Sequence, residues 1–459
     1  MELEIGGRWH HPVGVFHDRQ RPVLHGRPEV DKSRRMSLEL GVSRALSGAL
    51  ATVWLGVVAH QLSVRQFGQV TLVLSLGSLV SVGTDLGIPL ALSKVACDYP
   101  HLDGGAVRRA VVTRVVAGLV AGGVLIGLWV NSAGSTRWWL AGMYSLSVVI
   151  SPIGGSFLAM LRGRAIGTVE AVYNMVSKVA LLGVGLLTLA AGWRPAGVIG
   201  AFVAVDVVTA LTLPAVAGRR LSLGETIDPA QRAALTLRTT LPLAAAGILG
   251  SAYERVDIWL LALLKGSSSV AVYVAAYKLY DSALLPAMAI AAGAVAAAGP
   301  TLTAQPEPVA RRLALRSLIV TAPIALVVAL IAPLLLHAGF GGHYGSASSA
   351  VAILMVAALP GAALAVITPI ALLCHRGTIV RWTCVGLAGN VIANIALVPT
   401  IGIRGAALAF LLTDTVLLIA FFASLRRPPE PAAAPEVEAT GAGAEASTTE
   451  RGVANPEDQ

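Results

Sequence analysis

The sequence predicts an all-α integral membrane protein with about twelve transmembrane helices, and three observations lead to this prediction. Of the 459 residues, 55% are hydrophobic and 13% are charged, and the mean hydropathy is +0.74. A soluble domain carries about 25% charged residues, so this chain has too little charge to cover a water-facing surface. The apolar residues come in blocks of roughly 20, the length with which a helix crosses a bilayer. Lys and Arg are concentrated in alternate connections between these blocks, as expected for a multi-pass protein.

Charged or turn-rich breaks separate twelve apolar blocks. The predicted spans are 38–60, 68–88, 110–131, 138–161, 170–191, 196–217, 239–263, 271–297, 315–337, 347–374, 380–399 and 404–425. With the N-terminus placed in the cytoplasm, the inner segments carry about twenty Lys and Arg residues and the outer connections about five. This bias predicts that both termini are cytoplasmic, because positive charge is retained on that side. The outer connections are short, which disfavours an enzyme that needs an ordered external loop.

The longest inner connection divides the helices six and six. The predicted units are a polar extension (1–35), a first six-helix bundle (36–217), a cytoplasmic linker (218–238), a second six-helix bundle (239–427) and a disordered acidic tail (428–459). Translation begins at Met1 or, after a basic cluster, at Met36. Similar outer turns around Gly192 and Gly402 precede the last helix of each half, which indicates an internal repeat with the substrate between the halves.

No enzyme, metal or cofactor motif is present in the sequence. It contains no GxSxG, HExxH or Walker A pattern. The three cysteines, Cys97, Cys374 and Cys384, include no CxxC pair, so neither a disulfide framework nor a metal site is predicted. The net charge of +9 is better explained by membrane topology than by nucleic-acid binding. We therefore expect a protein that is not an enzyme and has no cofactor, metal or nucleic-acid partner.

Charges inside apolar spans are the candidate functional residues, because they are costly in hydrocarbon and usually face a bundle interior or a water-filled cavity. Arg44 and Asp85 both fall toward the cytoplasmic side and could pair, unless Arg44 snorkels to the interface. Asp257 and Lys278 lie at matching depths on the seventh and eighth helices, which predicts a salt bridge. That pair, with Asp281, either locks the two helices together or lines a cavity.

Other polar residues in the spans allow two interpretations. Asn390 and Asn394 are one turn apart and share a helix face, where they either join helices or form hydrogen bonds with a substrate. Lys178 and Asp206 could be structural partners in the first half. Asp414 in the last helix is ambiguous in the same way.

Four stretches, in this order along the chain, resemble the polysaccharide-biosynthesis flippases of the multidrug/oligosaccharidyl-lipid/polysaccharide (MOP) exporter superfamily. The first runs from FG at 67–68 to DLGI at 85–88, and the second joins LP at 241–242, YERVD at 253–257 and VYVAAYKL at 272–279. The third is FGGHY at 340–344, and the fourth is NVIANIALVPTIGIRGAALA at 390–409. The chain departs from the family where Ala271 precedes Val-Tyr instead of the usual Gly-Tyr.

The resemblance implies two six-helix bundles in a V-shaped arrangement, similar to multidrug (MATE) transporters. It also implies export of undecaprenyl-diphosphate-linked oligosaccharide repeat units from the inner to the outer leaflet of a bacterial cell membrane. Transport would be coupled to a proton or sodium gradient. A polysaccharide polymerase and a ligase would be expected partners.

The chemistry of such a substrate selects candidate residues. Glycan hydroxyls are costly in hydrocarbon without hydrogen bonds, and the diphosphate requires cationic partners. We expect Arg44, Arg255 and Lys278, with Asn390 and Asn394, to bind the substrate.

Carboxylates inside the spans are the candidates for ion coupling, namely Asp85, Asp257 and Asp281. The alternatives are a MATE-type antiporter of organic cations, a lipid II flippase and a membrane scaffold. The low aromatic content of 5% and the mixed sign of the charges disfavour the antiporter.

Overall fold

The structure is a computed structural model that describes residues 43, 46–133, 138–164, 166–224, 228–298 and 306–427. Helices account for almost all of this part. They are α1 (Leu46–Gln61), α2 (Val64–Asp85), α3 (Ile88–Asp98), α4 (Gly104–Ala133), α5 (Trp138–Gly163), α6 (Gly167–Ala190), α7 (Arg194–Gly218), α8 (Pro229–Ala234), α9 (Leu237–Lys265), α10 (Ser267–Ala298), α11 (Pro306–Leu330), α12 (Ala332–Phe340), α13 (Ser348–Cys374), α14 (Arg376–Ile401) and α15 (Ile403–Ser424). A 3₁₀ turn spans Gly342–Ala347, and two short strands, β1 (Leu102–Asp103) and β2 (Leu223–Gly224), pair in parallel.

The prediction of an all-α membrane protein is confirmed. Nine helices of the described chain are long and apolar enough to cross a membrane, and α1 is a shorter apolar helix. The remaining two of the twelve predicted spans, 239–263 and 271–297, coincide with α9 and α10, which carry several charges. The total of twelve crossings, the cytoplasmic position of the termini and the unit boundaries stay predictions. The predicted polar extension, residues 1–35, and the tail, 428–459, lie outside the described residues.

Local sequence explains where several helices begin and end. Ser63 caps α2 in a reciprocal capping box with Gln66. Gly266 and Gly402 adopt positive φ and form one-residue turns between α9 and α10 and between α14 and α15. Glycine suits these turns because it has no Cβ to clash in that conformation.

Two helix boundaries differ from the sequence prediction. The second predicted span ended at 88, but α2 ends at Asp85 and a separate helix, α3, follows a left-handed turn at Leu86 and Gly87. The ninth predicted span, 315–337, is interrupted after Leu330, where a new helix with a proline in its first turn begins. Pro333 has no backbone N–H to donate, and its fixed φ suits the first turn of a helix, so it fits the start of α12.

The two halves pack their helices in the same order. In the first half, α2 contacts α4 and α5, while α7 contacts α5 and α6. In the second half, α10 contacts α11 and α13, while α15 contacts α13 and α14. The helix that follows each repeated outer turn, α7 or α15, therefore occupies the same place in its half, which supports the predicted repeat.

The halves meet along α1 and α2. Helix α2 packs against both α9 and α10. Near the start of α2, Phe67 forms edge-to-face contacts with Tyr344 and Phe340, with ring centroids 5.7 and 6.4 Å apart. A Cβ on Gly68 would lie 1.8 Å from the carbonyl oxygen of Ser267 at the start of α10. Backbones this close are typical of helix interfaces built on small residues.

A second contact joins the connection before α4 to the linker. Asp103 in β1 accepts a 2.8 Å hydrogen bond from Arg232 Nε, and its backbone N–H donates to Gln231 at 2.9 Å. The guanidinium of Arg232 lowers the pKa of Asp103 to about 2. The linker is therefore fastened to the first half before it enters α9. We call this contact, with the β1–β2 pair, the linker clasp.

Candidate functional site

Six charged side chains from four helices lie near one another at mid-length of the bundle. They are Lys178 on α6, Asp206 on α7, Glu254 and Arg255 on α9, and Lys278 and Asp281 on α10. We call this set the central charged cluster. Its members come from both halves, and three of them are cationic and three acidic. A lipid-facing surface would not gather such charges, so the arrangement favours a polar space between the halves.

The second half contributes the best-defined pair of the cluster. Lys278 Nζ lies 2.6 Å from an Asp281 oxygen one turn along α10. The side chains remain 21% and 36% exposed, so they are accessible from the space between the helices. The Arg255 guanidinium lies 6.0 Å from the centre of the Tyr277 ring. Within the described chain Arg255 has no ion-pair partner, which leaves its hydrogen-bond donors available for an anion.

The first half contributes Lys178 and Asp206, at the middle of α6 and α7. Lys178 interacts electrostatically with Asp206 and, across the interface between the halves, with Lys278. Asp206 accepts a hydrogen bond from Ser147 on α5. The predicted pairing of Lys178 with Asp206 is therefore a loose electrostatic contact and not a salt bridge. The like charges of Lys178 and Lys278 repel, and an anion bound near both would reduce that repulsion.

A separate polar network lies inside the second half, where two carboxyl groups are almost completely buried. Asp257 on α9 is 0% exposed and accepts a 2.5 Å hydrogen bond from the Tyr273 hydroxyl. Asp414 on α15 is 3% exposed and accepts a 2.6 Å hydrogen bond from the Tyr253 hydroxyl. In the described residues, neither acid has a cationic side chain within salt-bridge distance. We call these two acids and their tyrosines the buried acid network.

Asn390 and Asn394 extend this network and do not belong to the central charged cluster. Both are 0% exposed on α14. Asn390 donates to the Thr413 hydroxyl at 3.4 Å, and Thr413 also accepts from Tyr253 at 3.1 Å. The Asn394 amide nitrogen donates to Asn390, while its buried oxygen has no partner among the described residues. Their position favours the interpretation that they join helices, and substrate binding by Asn390 and Asn394 stays a prediction.

Sequence analysis missed the tyrosines that connect the two sets of charges. Tyr273, Tyr277 and Tyr280 follow one another at four- and three-residue spacing and therefore share a face of α10. The Tyr277 and Tyr280 rings lie 5.3 Å apart, and both pack edge-on against Phe410 of α15. The spacing was visible in the sequence. The low aromatic content of the whole chain hid the fact that these residues gather at one place.

One predicted ion pair is wrong, and a second involves a residue outside the described part of the chain. The predicted Lys278–Asp257 bridge does not form, because Lys278 binds Asp281 and Asp257 turns inward to Tyr273. Arg44 lies outside the described residues, so its pairing with Asp85 and its contact with substrate stay predictions.

Asp85 instead accepts a hydrogen bond from Arg114 on α4. Arg114 is 3% exposed and also donates to the Pro152 carbonyl at 2.9 Å and to Ser156 at 2.6 Å on α5. The interaction ties α2, α4 and α5 together. Asp85 is therefore better explained as a structural partner than as an ion-coupling group, and it does not join the central charged cluster.

No group of three or more His, Cys, Asp and Glu residues with metal-binding geometry is found in the described chain. The chemistry available is therefore that of cationic, acidic and phenolic side chains. Such groups can bind anions and exchange protons.

Comparison with known proteins identifies a family and a fold. A sequence model of the family described as polysaccharide biosynthesis protein matches residues 37–304. Among solved structures, the chain is similar to the outward-facing conformation of a multidrug resistance MATE family transporter of the MOP superfamily. The TM-score is 0.60 at 15% identity, over 88% of this chain and 96% of that chain.

Two further structures show the same fold. The Vibrio cholerae MATE transporter VcmN in the bent form matches with a TM-score of 0.58 at 15% identity, over 86% of this chain and 97% of that chain. The eukaryotic MATE transporter AtDTX14 matches with a TM-score of 0.57 at 12% identity, over 86% of this chain and 94% of that chain. Among curated proteins, none matches the chain.

Proposed function

The chain belongs to the polysaccharide biosynthesis protein family, and on that premise we propose that it flips undecaprenyl-diphosphate-linked oligosaccharide repeat units from the inner to the outer leaflet of a bacterial cell membrane. The predicted resemblance to the MOP superfamily is confirmed by the family match and the MATE-like fold, and both favour a membrane exporter over an enzyme. The substrate, its direction of movement and the membrane are the parts that we propose.

The central charged cluster is the observation that carries this proposal. It offers three cationic side chains, Lys178, Arg255 and Lys278, at mid-length between the halves. A diphosphate needs such partners in a low-dielectric space, and Arg binds phosphate oxygens in a bidentate manner. Two of the acidic members, Asp206 and Asp281, would balance the charge of the lysines when no anion is bound. The glycan would follow the polar space while the polyprenyl tail stays in lipid.

The buried acid network supports coupling to a proton gradient. An isolated ionised carboxylate is very costly to bury, so Asp257 and Asp414 are stable when each holds a proton or shares a cation. Tyrosine hydroxyls can donate to the ionised form and accept from the protonated form. We assign the coupling ion to these two acids. The predicted coupling role of Asp257 is kept, and Asp281 is reassigned to the central charged cluster.

The remaining parts of the proposal follow from the family and from charge. Both termini, the linker clasp and the inner arginines would face the cytoplasm under the positive-inside rule. A polymerase and a ligase would receive the exported units at the outer leaflet. The first bundle (36–217) and the second bundle (239–427) would move relative to each other during transport, with the linker (218–238) between them.

A leaflet assay in sealed proteoliposomes tests the proposal. The liposomes contain a labelled undecaprenyl-diphosphate oligosaccharide, and an external glycan-cleaving enzyme reports label that reaches its leaflet. Wild-type protein should raise accessibility above that of empty liposomes, and more so under a proton gradient. Arg255→Gln should lower the initial rate roughly tenfold or more, the effect of losing charge-assisted hydrogen bonds. The exposed Arg381→Gln is the matched control and should retain the wild-type rate.

Further variants separate coupling from substrate binding. Asp257→Asn and Asp414→Asn should remove the gradient dependence, while the exposed Asp98→Asn should not. Unchanged flux in Arg255→Gln would remove the central charged cluster from the mechanism. No flux of the oligosaccharide together with proton-coupled efflux of an organic dye cation would overturn the proposal in favour of a MATE-type antiporter. Preference for lipid II over the oligosaccharide substrate would overturn it in favour of a lipid II flippase.

A further inference from the structure

A groove runs along the membrane-facing side of the second half, away from the central charged cluster. Its walls come from α11, α13 and α15, and its volume is about 540 Å³. The floor consists of small residues, including Ala314 and Ala363, which are only 7% and 2% exposed. Larger apolar side chains such as Leu318 and Phe422 form the sides. The small residues create the concavity, because a leucine at either position would fill it. We call this feature the lateral groove.

The charge of the lateral groove lies at one end only. Arg311 in α11 and Arg426 after α15 line that end, and the exposed Arg312 and Arg427 adjoin them. Arg311 has no ion-pair partner in the described chain. Arg426 lies over the Phe422 ring at 5.3 Å and reaches a Glu307 oxygen at 3.4 Å. With the predicted orientation, these arginines stand at the cytoplasmic interface of the membrane.

We propose that the lateral groove binds an anionic phospholipid of the inner leaflet, with its phosphate at Arg311 and Arg426 and one acyl chain along the apolar walls. Basic pockets between membrane helices on the cytoplasmic side are suited to acidic headgroups. A zwitterionic lipid lacks the net charge to match two arginines. The substrate is the less suitable occupant, because none of the six residues of the central charged cluster lies on α11, α13 or α15.

Glu307 provides a second test, in which a substitution is expected to strengthen lipid binding and not to weaken it. Its carboxylate competes with the phosphate for Arg426, at an exposed position where the ion pair itself contributes little to stability. Removing the carboxylate should therefore strengthen lipid binding. Removing either arginine should weaken it, by roughly fivefold for each charge.

Photo-crosslinking in liposomes provides the measurement. The full chain is reconstituted in phosphatidylcholine with a small fraction of phosphatidylglycerol that carries a photoactivatable acyl chain, and labelled peptides are identified by mass spectrometry. We expect labelling on α11 and α15 near Leu318 and Phe422. A phosphatidylcholine probe of the same chain length should label these peptides several-fold less.

Variants decide whether the arginines are responsible. Arg311→Gln with Arg426→Gln should reduce labelling by an order of magnitude or more, and Glu307→Gln should increase it. The control is the exposed inner pair of α4, Arg108→Gln with Arg109→Gln, which should leave labelling unchanged. Label at other lipid-facing peptides reports that each variant is folded and inserted.

Three results would overturn the proposal. Equal labelling by the two probes would identify only ordinary boundary lipid. Labelling that is unaffected by the arginine variants would show that charge does not select the occupant. Displacement of the phosphatidylglycerol probe by an equal amount of undecaprenyl phosphate would assign the groove to the substrate's tail instead.

Discussion

Gly68 should control how closely the two halves approach each other near the start of α2. A Cβ at this position would lie 1.8 Å from the backbone oxygen of Ser267, and real Cβ contacts are essentially never shorter than 3.0 Å. Gly68→Ala therefore requires a separation of at least about 1.2 Å. The obstacle is backbone, so no side-chain rotation can relieve it.

The cost of that separation follows from packing. A gap of 0.5–1 Å already removes a quarter to a half of the dispersion energy between facing atoms. Phe67 contacts two aromatic rings at the same interface, and each such pair contributes about 0.5–1.5 kcal/mol. Forcing an extra carbon into a packed interface costs roughly 1–3 kcal/mol. The population in which the halves are closed at this end should fall by about 5- to 150-fold relative to the open one.

Thiol accessibility measures this population. Ala271 is 0% exposed beside Gly68, so a cysteine placed there, in a chain whose three natural cysteines are replaced by serine, should react slowly with an aqueous maleimide. Gly68→Ala should speed the reaction by an order of magnitude and lower the transport rate. Gly83→Ala is the matched control on the same helix, since its Cβ would meet nothing within 4 Å. Equal reactivity in the two alanine variants would refute the reasoning.

Two further predictions concern stability. Asp85→Asn should leave Arg114 buried without an ionic partner, and loss of one partner from a buried pair costs about 3–5 kcal/mol. Because the Asp85 side chain is 46% exposed, we expect a loss at the low end of this range. Thermal unfolding in detergent, compared with Asp98→Asn, would measure it. The linker clasp should weaken in acid, because the pKa of Asp103 is depressed to about 2 in the folded protein. The stabilisation that the Asp103 carboxylate contributes is complete above the ordinary pKa of 3.8, and it is lost as the pH falls toward 2. Pepsin cleavage in the linker should rise over this range in the wild type, whereas Asp103→Asn should be cleaved readily throughout.

Hydropathy predicted the helical part of the fold well, because crossing a membrane requires long apolar segments and few other structures satisfy the backbone there. It could not predict partners of individual charges, which depend on how helices pack. Arg114 illustrates this limit. It lies inside the predicted span 110–131, where hydropathy assigns it no partner, yet in the structure it is buried and donates a hydrogen bond to Asp85. The inward turn of Asp257 likewise depends on Tyr273, whose orientation no hydropathy pattern specifies.

The position of α10 between the two sets of charges suggests how ion and substrate binding are coupled. One side of this helix carries Lys278 in the central charged cluster, and another side carries Tyr280, 3.5 Å from a buried oxygen of Asp414. Loss of a proton from Asp414 would strengthen the hydrogen bonds that it accepts and draw α10 toward α15. Because Tyr277, the stacking partner of Arg255, lies on the same helix, that movement would alter the cationic site as well. A ligand can shift a conformational equilibrium only through different affinity for the two states. Under the proposed function, α10 would give the coupling ion and the substrate such a difference, because one helix carries contacts to both sites.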